Sequence, residues 1–107
     1  MQNIVRPRVV CLCGSTRFKD AFIAANRSET LEGRIVLSVG MFGHDEGIDM
    51  NGSIKVNLDE LHKRKIDLAD EVLILNVDGY VGSSTKSEIE YARRHGKQLR
   101  WLEPSSV

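Results

Sequence analysis

Short apolar runs alternate along this chain with longer segments whose apolar residues recur at helical spacing. Residues 8–13, "RVVCLC", form a β-branched apolar run stopped by Gly14, which predicts a buried strand. The polar turn "GSTRF" leads into a predicted helix over 19–33, closed by Gly33, and "RIVLSV" (34–39) predicts a second strand. Residues 40–53, "GMFGHDEGIDMNGS", hold four glycines and no sustained period. That is a loop of about fourteen residues, a length usually kept for function or mobility. Ile54, Leu58, Leu61 and Leu68 then mark a helical stripe over 54–69. "EVLILNV" (71–77) is nearly unbroken apolar, as expected of a strand covered on both faces. A loop over 78–87, a helix and a last strand in "KQLRWLE" complete the pattern.

Strand and helix alternate throughout, which calls for a parallel sheet with right-handed crossovers. The expected fold is α/β: one compact three-layer, doubly wound domain over 1–107, flavodoxin- or Rossmann-like, with about four to five strands. Ligands in such folds sit outside the carboxyl ends of the strands, where loops 14–18, 40–53 and 78–87 converge.

Composition narrows the function. Lysine plus arginine and aspartate plus glutamate both number 15, so the formal net charge is zero. Excess positive charge, on which non-specific binding to a nucleic acid polymer depends, is missing. No apolar run approaches the ~20 residues of a membrane span, and "MQNIVRPR" has no secretory apolar core. A cytoplasmic protein without a membrane partner is expected. Cys11 and Cys13 read as small apolar strand residues in a reducing compartment; no metal site and no cofactor are expected. "DEGIDMNG" has the composition of a calcium loop but not its spacing.

Two turns carry candidate chemistry. In "CGSTRF", Gly14 allows a tight exit from the strand, Ser15 and Thr16 offer hydroxyl and N–H groups at a helix start, and Arg17 adds a guanidinium. That set suits an anion such as phosphate, and equally a plain N-cap at Ser15 or Thr16 beside a solvated arginine. In "GYVGSSTKSE", Gly82, Ser83, Ser84 and Thr85 repeat the layout. Thr85 and Glu88 read there as a capping box. Alternatively Glu88 faces the pocket as a carboxylate that the helix dipole keeps ionised. His44 could line the pocket from its glycine loop. His62 flanks the helical stripe, with a satisfied half-buried imidazole as the default. His95 suits a helix C-terminus, Asp70 ends a helix, and Asp67 and Glu90 read as solvated.

"CLCGSTRF" together with "ADEVLILN" and "GSSTKSEIEYARRHGK" resembles the nucleoside 2-deoxyribosyltransferase-like superfamily, and "HKRKIDLADE" its small bacterial and phage members. "CGSTR" is also similar to a turn of the deoxynucleoside 5′-monophosphate N-glycosidases. The resemblance implies an enzyme that cleaves or transfers the N-glycosidic bond of a (2′-deoxy)nucleoside or its 5′-monophosphate. Glu88 would attack C1′, and Gly14, Ser15, Arg17 and Ser83 to Thr85 would hold the sugar or phosphate. Cys11 stands where the family often has tyrosine. His62 stands where it commonly has an aspartate assisting the leaving base, so His62, or Asp67 or Asp59 after a register shift, is the candidate acid. Family members complete their pockets across subunits, so a homodimer or higher homo-oligomer is expected, with Trp101 near the contact. A non-catalytic nucleotide-binding module, or an interaction domain with a vestigial pocket, are the other readings.

Overall fold

The computed structural model describes residues 6–42 and 52–104. Most of the predicted loop 40–53, His44 included, lies outside the described residues. Four strands, β1 (Val9–Cys13), β2 (Ile35–Leu37), β3 (Glu71–Ile74) and β4 (Gln98–Trp101), form one sheet in the order β2-β1-β3-β4. Every pairing is parallel. The helices are α1 (Lys19–Leu31), α2 (Gly52–Leu68) and α3 (Ser83–Arg94), with one 3-10 turn at Val77–Gly79.

Alternation along β1 sorts these helices into two layers, because successive side chains point to opposite faces. Val9, Cys11 and Cys13 join Val72, Ile74, Ile66, Ile89 and Ala92 beneath α2 and α3. Val10 and Leu12 join Leu73, Leu75, Phe22 and Ala25 beneath α1. The result is the three-layer doubly wound domain that the alternation predicts. β1 runs to β2 on one side and the chain returns to place β3 on the other. A crevice therefore opens past the carboxyl ends of β1 and β3, where doubly wound folds hold ligands.

Helix ends follow local chemistry. Gly33 and Gly96 adopt φ of 86° and 68°, and the amides of Arg34 and Lys97 bond back to the carbonyls of Glu29 and Ala92. These are the left-handed stops that glycine permits. The predicted stripe of α2 is corrected. Ile54, Leu61 and Leu68 are 46%, 53% and 71% exposed, while His62 and Ile66 are buried. Residues 54, 61 and 68 do share a face, but the sheet takes the neighbouring face through His62 and Ile66, one turn apart, while Leu58 lines the cavity.

Gly14, just past the end of β1, packs against Leu75, just past the end of β3. A Cβ there would lie 3.1 Å from Leu75 Cβ and 3.2 Å from the Leu75 carbonyl oxygen. We expect Gly14→Ala to destabilise the domain by about 1–2 kcal/mol, the cost of mild overpacking against a rigid strand. Urea unfolding checks this; an unchanged midpoint would show that the turn relaxes freely.

Candidate functional site

The crevice is a cavity of about 600 Å³, floored by residues of α2 and α3 and rimmed by the turns that follow β1, β2 and β3. Gly14 to Arg17, Gly82 to Thr85, His62 and Glu88 all line it, as do Lys55, Asp59, Lys65 and Tyr80.

Neither turn is built as a plain cap. α1 starts at Lys19 after Phe18, without a side-chain cap. Ser15 instead closes its own turn: its carbonyl accepts from the Phe18 amide at 3.0 Å and its hydroxyl from the Arg17 amide at 3.3 Å. The Arg17 guanidinium lies 4.5 Å above the Tyr80 ring, and Phe18 meets the same ring edge-on at 5.8 Å. Tyr80 thus couples the first turn to the last through a cation–π contact and an aromatic pair.

The capping box is also overturned. α3 starts at Ser83, with Gly82 as N-cap and no side-chain cap bond. Thr85 is therefore already inside the first turn and Glu88 is in the second, where neither can close a box. Both are buried, Thr85 at 3% and Glu88 at 7% exposure. A threonine and glutamate three apart fit a capping box only if the threonine is the N-cap. The chain turns at Gly82 instead, which rotates Glu88 inward. The first-turn N–H groups of α3 receive no side-chain cap, and they stand at the cavity rim.

Electrostatics at the floor are dominated by burial. Burial raises the Glu88 pKa to about 7, against the lowering effects of His62 and of a hydrogen bond from Cys13. The ionised state expected from the helix dipole is thus only partly populated at neutral pH: desolvation outweighs the dipole. His62 is buried, and its Nε2 lies 3.0 Å from the Leu12 carbonyl, 3.6 Å from Cys11 Sγ and 3.4 Å from Cys13 Sγ. Burial works against the charged imidazole, but Cys11 and Glu88 outweigh it and the His62 pKa is raised. Hydrogen bonding from Cys13 leads the effects that bring the Cys11 thiol down to about 6. Desolvation pushes Cys13 well up.

Lys55 Nζ donates to Ser84 Oγ at 2.6 Å and to Asp59 Oδ2 at 3.1 Å. Lys65 Nζ donates to the Ser38 carbonyl at 2.7 Å, fastening α2 to the end of β2. Arg17, Lys55 and Lys65 face Asp59 and Glu88 across one cavity, a balance that suits an anionic group at the rim.

Asp67 is not part of this set. It is exposed at the last turn of α2, where it accepts from Tyr91 Oη at 2.6 Å and pairs with Arg64 at 2.9 Å. Asp67 lies five residues beyond His62, more than one helical turn away and on another face. Asp59 and His62, three apart, share the face that lines the cavity. Asp70 binds the Val9 amide and Arg6 at the opposite end of β1. His95 caps the end of α3, stacked on Tyr91 at 4.1 Å.

Sequence reasoning missed Lys55, Lys65 and Tyr80, and gave the two cysteines no chemistry. Only the alternation of β1 hints at the latter, since Cys11 and Cys13 must share a face. Nothing local says that His62 meets them. No protein-family model matches the chain, and no curated protein matches it.

Proposed function

We propose that the protein cleaves or transfers the N-glycosidic bond of a (2′-deoxy)nucleoside or its 5′-monophosphate, with Glu88 as nucleophile. The observation that carries this reading is a buried carboxylate at the floor of a cavity whose rim holds a guanidinium and an uncapped helix start. The resemblance of "CGSTR" and "SEIEYA" to the deoxyribosyltransferase-like superfamily supports the same assignment. A cavity of about 600 Å³ is in the range that encloses a small ligand such as a nucleotide.

In this mechanism a Glu88 oxygen forms a bond to C1′ as the bond from C1′ to the base nitrogen breaks. The transition state is oxocarbenium-like and the product is a glycosyl ester. The leaving base takes a proton from His62, whose pKa is raised and which shares the floor with Glu88. Water or a second base then attacks C1′ and frees the carboxylate. Water gives hydrolysis, with its proton returning to the group that supplied one; a base gives transfer.

The test is chromatographic. Each 2′-deoxynucleoside and 5′-monophosphate is incubated with the protein, with and without a second free base. Free base from the protein alone supports hydrolysis, and exchange only with added base supports transfer. Absence of both, with a monophosphate still raising the melting temperature, would replace this proposal by a non-catalytic nucleotide-binding module.

Arg17 separates phosphorylated from plain substrates. A hydrogen bond to a charged group contributes about 1.5–3 kcal/mol, so we expect Arg17→Ala to raise KM for 5′-monophosphates by roughly 10- to 100-fold and to leave nucleosides within a few-fold. An equal effect on both would show that Arg17 acts through Tyr80 and the shape of the rim.

A further inference from the structure

Cys11, Cys13 and His62 lie where the mechanism above has least need of two thiols, and their arrangement has its own chemistry. The cysteines are two apart on β1, so both project to the α2 face. His62 descends on them from α2, in the turn before Ile66, which anchors that helix to the sheet. Both thiols are fully buried and His62 is 6% exposed.

The contacts at His62 Nε2 cannot all be hydrogen bonds at once. A carbonyl only accepts, so His62 Nε2 must give its proton to Leu12 O at 3.0 Å. That leaves no lone pair on Nε2 for the thiols 3.6 and 3.4 Å away. A cation would engage all three atoms together. Around a tetrahedral zinc, with bonds of about 2.3 Å to sulfur and 2.0–2.1 Å to nitrogen, sulfur and nitrogen ligands stand roughly 3.6 Å apart. The two sulfur–nitrogen distances match that figure. All three donor atoms lie within 4.8 Å of one another.

We propose that Cys11 Sγ, Cys13 Sγ and His62 Nε2 bind a thiophilic divalent cation, zinc above all, with the fourth position left to water or an exogenous ligand. Two thiolates and an imidazole select zinc over magnesium or calcium, which require oxygen ligands. His62 and Glu88 both line the cavity, so a cation reaches the cluster from that side. Binding releases both thiol protons to solvent, moves the imidazole proton from Nε2 to Nδ1, and gives up the hydrogen bond from Nε2 to the Leu12 carbonyl in exchange for the metal bond. Two thiolates neutralise the cation, and Lys65 is close enough to His62 and Cys11 to be felt by both. If Glu88 is the nucleophile, the consequence is regulatory, and this part rests on the proposed function. A dication beside Glu88 draws its carboxylate away from C1′, so zinc slows base release and a chelator restores it.

The experiment begins with reduced, chelator-stripped full-length protein and reads binding directly. Cobalt(II) titration should give the ligand-field and thiolate-to-cobalt absorption of a tetrahedral site, saturating at one equivalent. Zinc should bleach that spectrum and raise the melting temperature. Cys11→Ser and Cys13→Ser should each weaken zinc binding more than about 10-fold in competition with a chromophoric chelator. Wild-type protein with neither thiolate-to-cobalt absorption nor a thermal shift would overturn the proposal without needing any variant. Undiminished zinc affinity in both serine variants would overturn it too, by locating the ion elsewhere. Base release that proceeds in chelator from a protein that binds no zinc would sink the metal site alone. Zinc binding without base release, even after chelation, would sink the glycosidase alone.

Discussion

Glu88→Gln is expected to abolish base release, by at least about 10³-fold in kcat, while making the protein more stable above pH 7. The activity loss follows from the role of nucleophile, whose removal leaves only binding and positioning. The stability gain follows from the proton. Burial raises the folded-state pKa of Glu88 from the ordinary 4.5 to about 7. Between those values folding takes up a proton, so stability due to this group is fully present below pH 4.5 and is lost as pH rises through 7. At pH 8 and above wild type bears the cost of a buried carboxylate, about 3 kcal/mol, and glutamine does not. Urea unfolding of both proteins at pH 5 and pH 8.5 should show similar midpoints at the first and a higher midpoint for the variant at the second. Base release by wild type in chelator should climb as pH rises through about 7, following the carboxylate. A variant that is inactive but less stable at both pH values would mean that Glu88 serves the fold. An active variant would remove it from the chemistry.

The second large effect lies at the other end of the sheet. Arg100 on β4 donates from Nε to Glu71 on β3 at 2.6 Å and from its terminal nitrogens to Glu29 on α1. Both carboxylates are buried, with side-chain exposures of 5% and 9%. Arg100→Leu is expected to cost about 3 kcal/mol, because removing one partner strands buried charge. The estimate is at the low end for such a loss because Arg8 still holds Glu71 at 2.7 Å and Arg34 still holds Glu29 at 3.4 Å. Burial favours the neutral form of Glu71, but Arg8 and Arg100 outweigh it and lower its pKa below 4.5. Its contribution is therefore present above pH 4.5 and disappears as pH falls through the lowered value. Acid titration of stability in wild type and Arg100→Leu should converge at low pH. Equal stabilities at pH 7 would show that the network is neutral. Arg100 does not line the cavity, so base release per folded molecule should be unchanged.

The architecture was legible because it rests on period. The nearly unbroken apolar runs at 8–13 and 71–77 hold the two central strands, although β3 ends at Ile74 and Val77 already belongs to the 3-10 turn, and Gly33 and Gly96 follow the helix ends. The site was legible as residue types but not as geometry. Thr85 and Glu88 match a capping box in one register and a buried floor in another, and the choice between them is made by the turn at Gly82. On α2, the faces through Leu61 and through His62 differ by a single residue in phase. Only contact with β1 decides which is buried, and that contact brings His62 to the thiols. Tyr80 carries no local signal at all: its role arises because Arg17, far away in the chain, is placed above its ring.

The central position of β1 also governs the order in which the molecule can be assembled. Its inner neighbour β3 arrives late: the Val9 amide waits for Asp70, 61 residues on, and Val10 for Glu71. Until then "VVCLC" has only β2 beside it, and half of its polar backbone is open to solvent or to another chain. Such non-local parallel pairings fold more slowly than helical contacts of the same number. A nascent chain that stalls before β3 would expose an apolar edge with aggregation as the competing outcome. Because the two halves of the cavity follow adjacent strands, the site cannot be complete before β1 and β3 have paired.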